Sequence, residues 1–360
     1  MRDKTPQEWA REFERKRGLY DDFTNKIAEL TRDLLREYEY RENEDYNLES
    51  RTKSVKSFSE KIIRPDKQYD DPLAEVTDLS GVRVVVYYLE DVDGIGEMIR
   101  KEFTVDDKNS VDKSAGRDPD RFGYQSDHYV VSLSDSRAED TVNRRFKDLK
   151  AEMQVRTVLQ HAWAVIDHKI RYKSPGKADF LARQLFCLSA LLELADQEFS
   201  RLKRRWDEQV RRYSEDVKKG DLDIAIDLAS VDAYLETSAK HLDWMKVACE
   251  AGFREYEDPS PAVDDWARTW LIKTLQQGEI KTIRELDTLL EEAAAWGRAF
   301  LKEVFNLSSE KGFAPDALPQ AVLSLLVIRG RRKRFRKALI RKAELRKQLV
   351  DAIVQAAQIS

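Results

Sequence analysis

Leu79-Ser-Gly-Val-Arg-Val-Val-Val-Tyr-Tyr-Leu89 is the stretch on which the fold turns. It is a short run of β-branched and aromatic residues, which reads as a buried strand. The polar segment Glu90 to Arg100 that follows has the character of a short helix. Further on, His128-Tyr-Val-Val-Ser-Leu133 and Ala151-Glu-Met-Gln-Val-Arg156 alternate like strands, and Val158 to Lys169 returns to helix. Strands interleaved with helices imply a sheet covered by helices.

Outward from this centre the pattern changes. Residues 1 to about 65 read as helical: Trp9, Phe13, Leu19, Phe23, Ile27, Leu30 and Leu34 recur near helical spacing, with Thr5 as N-cap and Pro6 in the first turn. After Ser174-Pro175-Gly176 the chain is almost wholly helical, with Leu181, Leu185, Leu188 and Leu192 forming one stripe. The expected fold class is α+β: a mixed β-sheet domain flanked by helices, then an all-α C-terminal domain. The expected divisions are N-terminal helices at 1–48, a core at 49–175 with helices to about 215 packed on it, and a helical domain at 216–360.

Composition narrows the function. Among 360 residues, 63 Lys and Arg against 67 Asp and Glu give a formal charge of −4, which disfavours a globally basic nucleic-acid-coating protein. No apolar run approaches the about 20 residues of a spanning helix, and no secretory signal opens the chain. Two cysteines, Cys187 and Cys249, cannot staple a chain of this size, so a cytoplasmic location is expected.

Several residue groups carry chemistry. In a strand, Glu152, Gln154 and Arg156 share one face and Met153 and Val155 the other. That polar face is either solvated or the floor of a site; His161 and His168 on the next helix favour a site. Asp78 stands at the start of the strand that carries Arg83. Such a carboxylate is a capping residue or, paired with Glu152 across a sheet, a Mg²⁺ ligand, since Mg²⁺ takes one or two carboxylates plus phosphate oxygens. Lys53, Ser57 and Lys61, spaced i, i+4, i+8, are an ordinary basic face or a triphosphate cradle. The polar segment Asp106 to Phe122 reads as a loop that ends by presenting Tyr124, as a stacking surface or a core plug.

Five blocks, in order, resemble the synthetase domain of the RelA/SpoT alarmone synthetases, the small single-domain ones above all. They are Arg51-Thr-Lys-Ser-Val-Lys-Ser57 through Lys61, Asp78-Leu-Ser-Gly-Val-Arg83, Gly123-Tyr-Gln-Ser-Asp-His128, Ala151-Glu-Met-Gln-Val-Arg-Thr157, and His161-Ala-Trp163 through His168 to Tyr172-Lys173. The resemblance implies transfer of the β,γ-pyrophosphate of ATP to a 3′-hydroxyl, of GDP or GTP, with release of AMP. It implies Asp78 and Glu152 as catalytic Mg²⁺ ligands. Arg51 and Arg83 would sandwich the adenine, and Lys53, Ser57 and Lys61 would hold the ATP phosphates. Tyr124, His128, Gln154, Arg156 and His161 would receive the acceptor. With only about 45 residues before the first block, no hydrolase domain is expected, so the product would be made and not degraded.

Toxic relatives resemble the same blocks but pyrophosphorylate the 3′-CCA end of tRNA. The C-terminal segment Ile328 to Lys347, with eleven Lys or Arg and one acid, bears on this alternative. Three readings stay open for it: a surface helix pairing with the acidic stretch Glu285 to Glu292; an RNA phosphate contact through Arg331, Arg332, Lys333, Arg334, Arg336 and Lys337; or a lid over the nucleotide cleft. A catalytically silent nucleotide-sensing or RNA-binding module is the non-enzymatic reading. The acceptor and the oligomeric state are not given by the sequence.

Overall fold

The computed structural model describes residues 4–65, 68–110, 126–173, 181–256, 260–336, 340 and 345–358. Residues 111–125, which include Tyr124 and most of the segment expected to be a loop, and Lys337 lie outside the described residues. The chain forms two compact units, residues 1–203 and 204–360. The division falls at Lys203, inside one long helix.

The first unit opens with α1 (Pro6–Glu37), started by a capping box in which Thr5 and Glu8 satisfy each other's backbone N–H groups. The chain then becomes extended. β1 (Tyr46–Thr52) is a strand, which corrects the helical reading of residues 1 to 65. Its sequence, Tyr-Asn-Leu-Glu-Ser-Arg-Thr, has few strand formers. As an edge strand it leaves Asn47, Glu49 and Arg51 exposed on one face, while the other face buries Tyr46 and half-buries Leu48 but continues through the polar Ser50 and Thr52, so no sustained apolar alternation betrays it.

α2 (Val55–Ile62) and the short α3 (Pro72–Glu75) lead to β2 (Ser80–Val86), whose residues alternate strictly between buried and half-buried. α4 (Leu89–Glu102), β3 (Phe103–Val105), β4 (Asp127–Leu133), α5 (Asp135–Ala138), β5 (Ala151–Thr157) and α6 (Val158–Lys173) complete the core. The sheet order is β1-β2-β5-β4-β3; β2 and β5 are parallel and every other pair is antiparallel.

The apolar half of each strand faces one side. Val82, Val84, Val86, Tyr129, Val131, Met153 and Val155 pack there against Phe23, Ile27, Leu34 and Leu35 of α1 and Ile95, Met98 and Ile99 of α4. α4 comes so close that a Cβ on Gly96 would sit 2.3 Å from the Tyr129 hydroxyl oxygen, so this contact demands glycine. The opposite face keeps the polar residues, and the site is built there.

α7 (Ala182–Lys218) begins in the first unit, where Leu181, Leu185 and Leu192 pack with Leu159, Trp163 and Ile170 of α6. Leu188 turns outward, half exposed, so the predicted stripe is not wholly a packing face.

The second unit continues with α8 (Leu228–Thr237), α9 (Lys240–Ala251), β6 (Arg254–Glu255), α10 (Pro261–Gln277), α11 (Ile283–Glu292), α12 (Gly297–Ser309), β7 (Asp316–Ala317), α13 (Pro319–Gly330) and α14 (Lys347–Ala357). A two-residue parallel pairing of β6 with β7 and an isolated antiparallel bridge between Ala225 and Thr282 interrupt this otherwise helical unit. α13 is buried from Gln320 to Ile328 on every side, as a helix apolar all round must be, and forms the axis of this core.

Candidate active site

Register places the polar residues in rows across the sheet. Arg51 of β1 stands opposite Gly81 of β2, and Gly81 opposite Glu152 of β5. In the next row on the same face, Glu49, Arg83, Gln154 and His128 are neighbours across four strands. Residues two apart in a strand share a face, so these rows form one continuous polar surface. In the first row β2 contributes only a glycine. The gap between Arg51 and Glu152 is the floor of a cavity of about 250 Å³, which Asp78, Arg83 and Gln154 also line. A Cβ on Gly81 would meet no atom of the protein closer than 3.5 Å. Any larger side chain would therefore enter the cavity instead of displacing the sheet.

Asp78 sits two residues before β2. Its carboxylate accepts hydrogen bonds from Lys53 Nζ at 2.6 Å and Lys61 Nζ at 2.8 Å. The three side chains are 12 to 22% exposed, so the triad is partly dry. Burial pushes the Asp78 carboxyl up, but the two ammonium groups outweigh it and hold the group below the usual Asp range. α2 begins after its N-cap Ser54, so Lys53 precedes the helix and the i, i+4, i+8 face is not continuous. Lys53 and Lys61 nonetheless converge, on Asp78. Ser57 is exposed; its N–H and hydroxyl oxygen face the cap, Ser54.

Around Glu152 a hydrogen-bonded chain spans the sheet. Gln154 Nε2 donates to Glu152 Oε2 at 2.8 Å, and His128 Nδ1 lies 3.3 Å from Glu152 Oε1. His128 Nε2 is 2.9 Å from Ser126 Oγ. Arg83 bonds Glu49 Oε2 at 2.8 Å and reaches Gln154 Oε1 at 3.4 Å, an oxygen that also accepts from Arg156. Burial pushes Glu152 up, and the Asp78 charge adds to that. The hydrogen bonds and charge of His128 and the Gln154 amide prevail, and the carboxyl lies below the ordinary Glu range. Arg156 is 4% exposed, and burial, with Arg83 beside it, brings its guanidinium down to about 10. His161 is lowered by burial and by the positive charge of Arg156 and Arg83, and its buried Nδ1 has no hydrogen-bond partner. A neutral imidazole edge with an unused nitrogen thus borders this surface.

Residues 50–177 match the family model described as the region found in RelA / SpoT proteins. Residues 50–177 are thus similar to a RelA/SpoT region. Two curated Bacillus subtilis (strain 168) proteins are homologous to it. GTP pyrophosphokinase YjbM is 29% identical over 189 residues, 51% of this chain and 84% of that protein. GTP pyrophosphokinase YwaC is 26% identical over 144 residues, 36% of this chain and 65% of that protein. Among solved structures, small alarmone synthetase 1 from Bacillus subtilis bound to its product pppGpp aligns at 24% identity and TM-score 0.45, over 54% of this chain and 98% of that one. A GTP pyrophosphokinase family protein from Streptococcus pneumoniae aligns at 23% identity and TM-score 0.45, over 55% of this chain and 95% of that one.

Within the RelA/SpoT region and at its edge, three residues at the site were not singled out in the sequence. Glu49 fixes Arg83, Gly81 opens the floor, and Ser126 engages His128. Alternation back from Arg51 would have found Glu49 had β1 been read as a strand. Outside the region, Asp196 of α7 is 1% exposed and takes a 2.6 Å hydrogen bond from Thr157 Oγ1, at the end of β5. Burial raises its carboxyl to about 7.

The basic C-terminal segment is not one helix. α13 ends at Gly330, a short 3₁₀ turn covers Arg332 to Arg334, and Phe335 is buried. Arg334 pairs with Glu279 at 2.7 Å and Arg332 reaches Gln358. Within the acidic stretch expected to receive this segment, Asp287 and Glu291 both accept from Lys240. Among the described residues no helix is long and apolar enough to cross a membrane.

Proposed function

We propose that this chain is an ATP-dependent pyrophosphokinase that transfers the β,γ-pyrophosphate of ATP to the 3′-hydroxyl of GDP or GTP and releases AMP. One observation carries the reading: residues from four separate positions in the sequence, Arg51, Asp78, Arg83 and Glu152, line one cavity floored by a glycine. The homology to two proteins named GTP pyrophosphokinase supports the reaction class.

Arg51 and Arg83 offer guanidinium planes to a purine, and Glu49 holds Arg83 in place by its 2.8 Å bond. Lys53 and Lys61 already converge on an anion, the Asp78 carboxylate, so a polyphosphate entering the cavity has two ammonium groups to take over, with Ser57 at the helix start beside them. Asp78 and Glu152 are both ionised and interact electrostatically across the cavity. Two hard carboxylates beside a phosphate site fit Mg²⁺, and these two residues would hold it. Bound there, Mg²⁺ would supply charge neutralisation of the polyphosphate.

His128, Gln154, Arg156 and the unpaired edge of His161 border the acceptor's place, with Tyr124 as the stacking partner for its base. In the transfer, the acceptor O3′ forms a bond to the β-phosphorus as the bond from that phosphorus to the oxygen of AMP breaks. The hydroxyl proton passes to Glu152 or, while that carboxylate holds Mg²⁺, to solvent water.

ATP labelled on the γ-phosphate, incubated with GDP, GTP or deacylated tRNA in parallel, tests the reading. Label in a guanosine nucleotide supports it. Label on tRNA alone replaces the acceptor, and label on none of them overturns the activity.

A further inference from the structure

The second unit holds a cleft of about 700 Å³ between α7, α8, α10 and the start of α13. Nothing in the RelA/SpoT region, which ends at residue 177, accounts for it. Its floor is a polar cluster with bonding capacity left over. Arg268 lies between two carboxylates, 2.9 Å from Asp264 and 3.6 Å from Asp232. Gln320 Nε2 donates to Asp264 at 3.1 Å. Yet Gln320 Oε1 and Arg268 Nε are buried without partners, and Gln320 is 7% exposed. A buried polar atom without a partner costs about 1–3 kcal/mol, so two of them beside one cleft point to a missing occupant. The floor has two carboxylates to one guanidinium, and Asp232 is raised by burial and by its acidic neighbours Glu236 and Asp264 against the pull of Arg268. It therefore asks for N–H donors at Asp232 and Gln320, and for one acceptor at Arg268.

The α7 wall asks on balance for the opposite, with two cations, Arg211 and Lys218, against one carboxylate, Asp207. Arg211, Ser214 and Lys218 follow one another at i, i+3, i+7, a hydroxyl between two cations on one helical face. Trp206, 43% exposed, adds an indole to the same wall. An occupant needs an anionic end, a flat ring, and an edge with two donors beside one acceptor. The purine edge that offers two N–H donor positions and one acceptor is the one of guanine, with its N1–H, N2–H and O6.

We propose that this cleft binds a guanine nucleotide, its base edge on Asp232, Gln320 and Arg268, its ring against Trp206, and its phosphates on Arg211 and Lys218. The site is separate from the cavity in the first unit, and its occupancy does not depend on the transfer reaction.

The test is hydrogen–deuterium exchange of the full chain titrated with GDP, with ATP as the control. GDP should protect Leu228–Thr237 and Pro261–Gln277. Lys218→Glu, on the open wall, and Gln320→Leu, close in volume, should each raise the GDP concentration for half-protection of these helices about tenfold, equivalent to about 1.4 kcal/mol. Protection in β1, β2 and β5 should stay unchanged in both variants. Protection confined to those strands overturns this site and leaves the proposed function standing. Equal protection of the two helices by ATP overturns the guanine assignment. No protection anywhere overturns both.

Discussion

Asp78→Asn separates two roles of one carboxylate. In the free protein Asp78 holds Lys53 and Lys61 at 2.6 and 2.8 Å, with all three side chains at least three-quarters removed from water. The amide keeps the shape and removes the charge, leaving two ammonium groups facing each other. Removing one partner of a buried pair costs about 3–5 kcal/mol, and partial solvent access puts this site near the lower end, about 3 kcal/mol. At about 2–4 °C per kcal/mol for a domain of this size, the melting of the first unit should fall by about 6–12 °C. The freed lysines should then bind an anion more tightly than in the wild type, because no carboxylate competes. Inorganic pyrophosphate without metal should therefore restore more of the variant's melting temperature than it adds to the wild type's. Pyrophosphate transfer should be lost, since a carboxylate proposed to hold Mg²⁺ is gone. Differential scanning calorimetry with and without pyrophosphate reads both effects. A variant that melts with the wild type, or one that pyrophosphate stabilises no better, would refute the account of the triad.

Glu152→Gln should leave the melting temperature close to wild type, because Gln154 and His128 can still bond an amide, while transfer falls by at least about 10²-fold in a single-turnover assay. Gly81→Val should fold, as a β-branched residue suits a strand and a Cβ at this position has room, yet ATP should no longer bind detectably by calorimetry. Asp196→Asn has a definite pH signature. The folded pKa of Asp196, about 7, is raised above its ordinary 3.8, so the folded state binds the extra proton. The wild type should lose stability as pH rises from about 4 to about 7, and the loss should level off above that. The variant's advantage in urea melts should grow with pH to at most about 4 kcal/mol. A constant difference from pH 5 to pH 8 would show that Asp196 is not protonated in the fold.

The parts of the fold that were legible are those with a one-faced signal. β2, β4 and β5 alternate because one face meets α1 and α4, and α1 shows its cap and its apolar stripe. β1 was not legible, because its inward face, Tyr46, Leu48, Ser50 and Thr52, is half polar and its other face is exposed. The same failure hid Glu49. At the site, Glu152, Gln154 and Arg156 were readable from alternation alone, and the structure gathers Arg51, Asp78, Arg83, His128 and His161 around them. Helical spacing suggested that Lys53, Ser57 and Lys61 form one face, but a helix that starts at Val55 leaves Lys53 outside it. The two lysines meet through Asp78, a contact between segments that spacing does not encode. Asp196 meets Thr157 from 39 residues away, and Gln320 and Asp264 meet from different helices. Such tertiary pairings leave no trace in local periodicity.

The central claim is pyrophosphate transfer at the cavity floored by Gly81. Its most direct test is to quantify, by anion-exchange chromatography, AMP and the 3′-pyrophosphorylated nucleotide formed from ATP and GDP by the wild type and by Glu152→Gln. The account predicts AMP and product in equal amounts with the wild type and neither above background with the variant. ADP and inorganic phosphate in place of AMP, or undiminished product from the variant, would contradict it.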